Sequence, residues 1–294
     1  MTTPGWSHGR AVTVMLAATL MWSIAGVVTR WLDGTAPFEM TFWRSAANAV
    51  SLVVLLSLWR GPGWLTQQLR QGGRALWLSG ACWCVMFTAF MLALTLTTVA
   101  NVLVTMALAP LFTALAARIT LGHRLATRTW VAIVLAGAGI GWMYGHELQG
   151  GRHLLGTAVA VAVPVAAAVN WTLIQSLRGR EGAPDMLPAV LLGALLSAAI
   201  ALPLAWPLQA SAHDVAWLSM LGLVQLAIPC LLSVMVGRVL SAPEISLLGL
   251  LEVLFGVAWV WLGAGEAPTA AVLGGGALVL VALAANEALA LRSR

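Results

Sequence analysis

Few side chains in this sequence could do chemistry, and their setting says as much as their type. Glu252 is the one ionisable residue between Ser246 and Leu262, about eight residues, or roughly 12 Å, into an apolar run. A carboxyl group at such a depth costs several kcal/mol unless it faces a polar cavity or a partner. It is therefore a candidate proton carrier or a partner for a ligand's ammonium group; the plainer alternative is a neutral carboxyl hydrogen-bonded to a neighbouring helix. Arg44, in Phe42-Trp43-Arg44, lies about 10 Å inside another apolar run, close enough to its end to snorkel. A structural pairing and a bound carboxylate are its two readings, and Glu39, five residues earlier, is a poor helical partner.

The remaining reactive types are scattered. His8, His123, His146, His153 and His213 fall at the ends of apolar runs or in loops, as do Asp33, Asp185 and Asp214. Cys82, Cys84 and Cys230 lie within apolar runs and read as small packing residues rather than ligands or disulfide partners. No metal-ligand spacing, phosphate loop or nucleophile elbow is present. The expectation is a protein that is not an enzyme and carries no metal or cofactor, with no nucleotide motif to power a pump.

Composition fixes the surroundings. Of 294 residues 61% are hydrophobic and 9% charged, and the mean hydropathy is +0.93. A soluble domain of this size could not clothe its surface with so few charges. Every basic residue is arginine, and the pI near 10.4 reflects arginines guarding loops rather than a nucleic-acid partner.

Runs of about 20 apolar residues, the length that crosses a bilayer, divide the chain into about ten spans. Their limits are Ala11 to Trp31, Phe38 to Trp59, Ala75 to Leu96, Val99 to Ile119, Thr129 to Tyr144, Leu154 to Leu177, Leu187 to Trp206, Val215 to Leu240, Glu244 to Leu262, and Thr269 to Leu289. The first is too long for a signal-peptide core and reads as an uncleaved span. With the N-terminus inside, the cytoplasmic side collects Arg10, Arg60, Arg70, Arg74, Arg118, Arg124, Arg128, Arg178, Arg180, Arg238, Arg292 and Arg294; the outer side keeps Arg30, Arg44 and Arg152. This is a strong positive-inside bias. The stretches between spans, including Arg60 to Arg74, are too short to fold as soluble domains.

Helical spacing sets Glu244, Leu248, Glu252, Phe255 and Trp259 on one stripe of the ninth span, and Trp83, Phe87 and Phe90 on one face of the third. Asn101, Thr105, Leu108 and Phe112 share a face of the fourth, where Pro110 is a candidate hinge or a static kink. Trp22, Thr19 and Ser23 share a face of the first, and Trp171, Gln175 and Arg178 a face of the sixth. Trp6, Trp31, Trp59, Trp64, Trp206 and Trp217 sit at span ends as interfacial anchors. Trp22, Trp83, Trp171 and Trp259 are deeper and either line a cavity or pack against neighbours. Asn170 is suited to joining two helices by a hydrogen bond. Glu244 behind Pro243 reads as a helix cap. Gly137, Gly139, Gly141 and Gly274-Gly275-Gly276 suit close helix packing.

Ala109-Pro110-Leu111-Phe112, with Gly122-His123 after it, keeps step with Glu252-Val253-Leu254-Phe255 and Gly265-Glu266. Five spans per half is an odd number, so the second half starts on the opposite side and the halves are inverted. Inverted repeats are common in alternating-access carriers, with the binding site at midplane between them. Channels and inert scaffolds can be built from duplications too.

The order and spacing of Met21-Trp22-Ser23, Phe42-Trp43-Arg44, Ala109-Pro110-Leu111-Phe112, Leu251-Glu252-Val253-Leu254-Phe255 and Gly265-Glu266 resemble the drug/metabolite transporter superfamily, in its ten-helix exporter branch. The likeness runs from Ala11 to Leu289; His123 and Val253 depart from it, standing where the family usually has Glu and Pro. The resemblance implies an all-α membrane protein of about ten transmembrane helices in two inverted five-helix repeats, residues 11–145 and 152–291. It implies an exporter of small metabolites, most similar to exporters of aromatic and other hydrophobic amino acids. The alternatives are a channel-like facilitator and an intramembrane enzyme acting on a lipid-soluble substrate. The expected cavity residues are Trp22, Trp83, Phe87, Asn101, Trp171, Glu252, Phe255 and Trp259, with Glu252 as the candidate coupling group and Pro110 as the candidate hinge. The expected partners are a small-molecule substrate and the lipid bilayer of a bacterial inner membrane, with no nucleic acid. The oligomeric state is open, a monomer being sufficient.

Cysteines introduced at Gln71 and Gln149, in a background lacking the native three, should react with an impermeant reagent from opposite sides of the membrane. Reaction of both from one side would sink this topology.

Overall fold

The computed structural model describes residues 6–61, 63–97, 99–122, 125–144, 154–264 and 267–292. Among these residues the chain is helical and contains no strand, as a bilayer demands of a chain that must satisfy its backbone hydrogen bonds internally. Eight helices are long and apolar enough to cross a membrane: His8–Val28, Pro37–Arg60, Gly73–Ala93, Val102–Leu121, Leu154–Ser176, Leu187–Ala205, Ala212–Val236 and Ala242–Gly263. Thr127–Tyr144 and Ala270–Arg292 take the fifth and tenth places in chain order. We number the ten helices accordingly. The chain is a multi-pass membrane protein.

Local sequence sets the helix ends. Pro37, Pro188 and Pro243 stand in first turns, where a missing N–H leaves nothing unpaired. Ser7 and Ser211 accept from Arg10 N and Asp214 N at 3.3 and 3.1 Å. Glu244 closes a capping box with Ser241, in keeping with its reading as a cap. Gly122 ends the fourth helix at φ +64°, a left-handed turn that suits glycine. The stretch after Arg60 differs from its reading as a loop: Trp64–Gln71 is a short helix. Its Trp64, Leu65 and Leu69 pack on the core, so the sequence there is amphipathic at helical period despite its brevity.

The packing repeats with a shift of five. The third helix lies on the sixth and seventh, and the eighth correspondingly on the first and second; the fourth lies on the sixth, and the ninth on the first. The second and seventh, fourth and ninth, and fifth and tenth pack on their own counterparts.

Small residues bring these backbones together, since lipid offers no hydrophobic drive for helix association. A Cβ on Gly139 would lie 2.7 Å from the Gly275 carbonyl oxygen, closing the fifth and tenth helices on each other. A Cβ on Gly222 would stand 2.7 Å from the Arg44 oxygen and from the Ala47 methyl, and one on Gly193 would strike the Trp83 Cβ. Buried hydroxyls add ties: Thr88 donates to Ser197 at 2.9 Å, with Ser45 3.0 Å from the same oxygen. Ser79 donates to Asn170 at 2.5 Å, so Asn170 joins the third and sixth helices.

Polar clasps hold both ends of the bundle. At the end carrying the termini, Arg178 donates to the carbonyls of Gly237 at 2.8 Å and Val239 at 3.1 Å, and to that of Leu240. Its burial pulls the guanidinium below its ordinary pKa, which the Glu244 charge opposes. Asp185 accepts from Arg238 at 2.7 Å and Arg60 at 3.4 Å, and His8 pairs with Glu244. At the opposite end Asp214 accepts from Asp33 N at 2.9 Å and from Thr35, and Glu39 accepts from Gln209 N and Ala210 N at 2.8 and 2.7 Å. Asp33, His213 and Asp214 gather closely there, but the Asp214 oxygens are already spent on the loop.

Gly275→Val should overpack the seam with the fifth helix and cost about 1–3 kcal/mol, read as a lower melting temperature of the purified protein. Gly137→Ala meets no atom within 4 Å and should leave that temperature unchanged or raise it slightly.

Candidate functional site

Four helices of the bundle are not continuous, and the interruptions gather in one place. The first breaks after Trp22, the fourth between Met106 and Ala109, and the ninth at Leu250. The eighth widens into a π-helical segment, Leu221–Ala227, whose exit is marked by Ile228 N–H bonding to Leu223 O. Pro229 explains that widening. In an unbroken α-helix its ring would press on the Gln225 carbonyl and leave it without a donor, and the wider turn eases that clash. Pro110 occupies the first turn after the break in the fourth helix, where its missing N–H costs nothing.

These interruptions border a cavity of about 1010 Å³, counting its open mouth. The first helix lends it Met15 and Trp22, the second Arg44, the third Trp83, Met86, Phe87 and Phe90, and the fourth Leu103, Met106 and Ala109. The sixth adds Val163, Ala167 and Trp171, the eighth Gln225, Leu226 and Cys230, and the ninth Ile245, Ser246, Gly249, Leu250, Glu252 and Val253. Its wall is the mainly apolar kind with a few polar groups that small organic ligands need.

The aromatic wall is built as a unit. The Trp83 ring stands 5.6 Å from Trp171 at 89°, edge to face, and 5.5 Å from Phe87. Such pairs are worth about 0.5–1.5 kcal/mol beyond the area they bury. Thr113 donates to Ser246 at 3.1 Å, binding the fourth helix to the ninth beside the cavity, two residues from Glu244 of the His8–Glu244 pair.

The polar groups are under-used. Arg44 is 2% exposed; its NH2 donates to the Phe87 carbonyl at 3.2 Å, and its Nε has no partner. The buried Trp83 indole N–H is likewise unpaired. Gln225 donates to the Trp22 carbonyl at 3.3 Å while its Oε1 is left over. Neither Arg44 nor Glu252 belongs to an ion pair among the described residues, although each feels the other's charge.

Of the residues expected around a cavity, Trp22, Trp83, Phe87, Trp171 and Glu252 line this one. Phe255 is partly buried against the main core. Trp259 donates to Ser23 at 3.0 Å and packs by Val27, Val28, Leu218 and Leu221. The Asn101 side chain lies outside the described residues, as do His123, Gly265 and Glu266. Sequence reasoning passed over Gln225, whose signal was an amide in the middle of an apolar span.

A solved crystal structure superposes on 98% of this chain and all of its own, with a TM-score of 0.82 and 18% identity. That likeness shows the fold alone. The sequence adds the family signature to the first half. Residues 9–145 match the EamA-like transporter family. This EamA-like segment holds the first five helices, and hence the Trp83–Phe87 wall, Trp22 and Arg44. No curated protein matches the chain.

With the native cysteines replaced, Ser246→Cys in the cavity wall should react with a small impermeant thiol reagent that enters the cavity. Gly249, one turn nearer the opposite end, has nothing within 4 Å of its Cβ position, so Gly249→Phe should fold, plug the space and sharply slow that reaction. An unchanged rate would mean that the cavity is not the route to Ser246.

Proposed function

We propose that this protein is a secondary transporter of the bacterial inner membrane that exports small amphipathic metabolites, aromatic and other hydrophobic amino acids foremost. It works by alternating access between two inverted repeats, residues 11–145 and 152–291, with both termini cytoplasmic. The observation that carries the reading is the cavity itself: Trp22, Trp83, Phe87 and Trp171 set against a single carboxyl, Glu252, between the two halves of the chain.

Three features support it. Most of the larger helix contacts map onto one another under a shift of five, as two inverted repeats would make them. Thr113–Ser246 and His8–Glu244 tie the fourth and first helices to the ninth beside the cavity, polar contacts of the kind a carrier makes and breaks as its helices rearrange. The breaks in the first, fourth and ninth helices give those helices joints beside the ligand. Glu252 can exchange a proton with the cavity, or face a substrate ammonium group, as the helices rearrange.

Reconstitution into liposomes with labelled phenylalanine tests the reading: saturable flux with counterflow is expected, whereas linear flux would indicate a channel and product formation an enzyme. Glu252→Gln keeps shape and hydrogen bonding while removing the titratable group. It should fold normally and lose the pH dependence of transport or the preference for zwitterionic over anionic substrates. If Glu252 couples transport to protons, equilibrium exchange should survive in this variant better than gradient-driven flux. Wild-type behaviour on every count would leave Glu252 a structural carboxyl.

A further inference from the structure

The unspent hydrogen-bonding groups of the cavity are not evenly spread. Two of them, Arg44 Nε and Trp83 Nε1, are donors, both buried, and they come from adjacent helices. Arg44 is anchored through its NH2 to the carbonyl of Phe87, one helical turn from Trp83, and the two rings of that turn stand 5.5 Å apart. The guanidinium is thus fixed beside the aromatic wall with a donor to spare.

A buried charged donor left unpaired is costly, and the cost vanishes when a ligand supplies an acceptor. The remaining acceptors, Gln225 Oε1 and the Glu252 carboxyl, come from the eighth and ninth helices.

We propose that Arg44 and Trp83 form a carboxylate-binding subsite that orients the ligand, with its apolar body on the aromatic wall and any ammonium group turned toward Glu252 and Gln225. The assignment deepens the carrier reading and rests on it for its physiological use. A planar carboxylate suits the guanidinium edge and is held more strongly than a neutral acceptor. A dianionic phosphate would bring a second negative charge into a space that already holds Glu252. A ligand with one carboxylate and one ammonium exchanges partners with the Arg44 and Glu252 charges and leaves the net charge of the cavity unchanged.

Calorimetric binding to the purified full-length protein in nanodiscs tests this without requiring flux. The probes are phenylalanine, 3-phenylpropionate, which lacks the amine, and phenethylamine, which lacks the carboxylate. Trp83→Phe keeps a ring and removes the N–H, and should weaken the two carboxylates by about two- to tenfold while leaving phenethylamine unchanged. Arg44→Lys should weaken the carboxylates by at least about tenfold, again sparing phenethylamine. Should the Arg44 variant fail to fold, Trp83→Phe decides alone. Equal weakening of all three probes in Trp83→Phe, unaltered binding of all three, or no carboxylate binding by the wild type would overturn the subsite. The expected binding pattern without counterflow in liposomes would overturn the carrier reading and leave the subsite standing.

Discussion

A backbone surrounded by hydrocarbon must find its hydrogen-bond partners within itself, and this constraint governs where the chain can be irregular. The third and sixth helices run unbroken past the cavity. The interruptions of the first, fourth, eighth and ninth all border the cavity. Local bonds such as Leu108 N–H to Thr105 O and Leu250 N–H to Leu247 O keep the backbone paired across them, so the chain departs from a regular helix beside the cavity without leaving those amides bare.

Side-chain chemistry follows from the same constraint. With no solvent to separate helices from lipid, the bundle is assembled by close approach at Gly139, Gly193, Gly222 and Gly275 and by short hydroxyl ties such as Ser79–Asn170. Two of those glycines also position the cavity groups. Gly193 lets the seventh helix bear directly on the Trp83 backbone, and Gly222 does the same for the stretch around Arg44. Among the described residues the fifth and tenth helices lend the cavity no lining side chain; they pack chiefly on each other.

Much of this was legible in the sequence because it depends on length and period. The all-helical chain, the common face of Trp83, Phe87 and Phe90, and the joining role of Asn170 all follow from a regular helix. What was not legible depends on irregularity. Periodicity also sets a face without saying where a cavity ends along it: Ile245, Gly249 and Glu252 face the cavity, while Trp259, two turns further along the ninth helix, donates to Ser23 instead. Gln225 enters through a π turn that no periodicity forecasts. Arg44 was visible as a residue, yet its anchorage on the Phe87 carbonyl is a tertiary fact.

The π turn also sets how this chain can vary. It holds one residue more than an α-helix needs to climb the same height, and the surplus sits between two faces that are both committed. Gly222 is pressed on the second helix at its start, and Cys230 and Val234 are buried after it. Deleting one residue between Leu223 and Ala227 would therefore yield an ordinary helix that keeps Gly222 on the second helix and Cys230 in the core. The same deletion within a regular α-helix would rotate one side against the other by about 100°. The π turn is thus a place within the bundle where the chain can lose a residue without turning a packed face away from its partner.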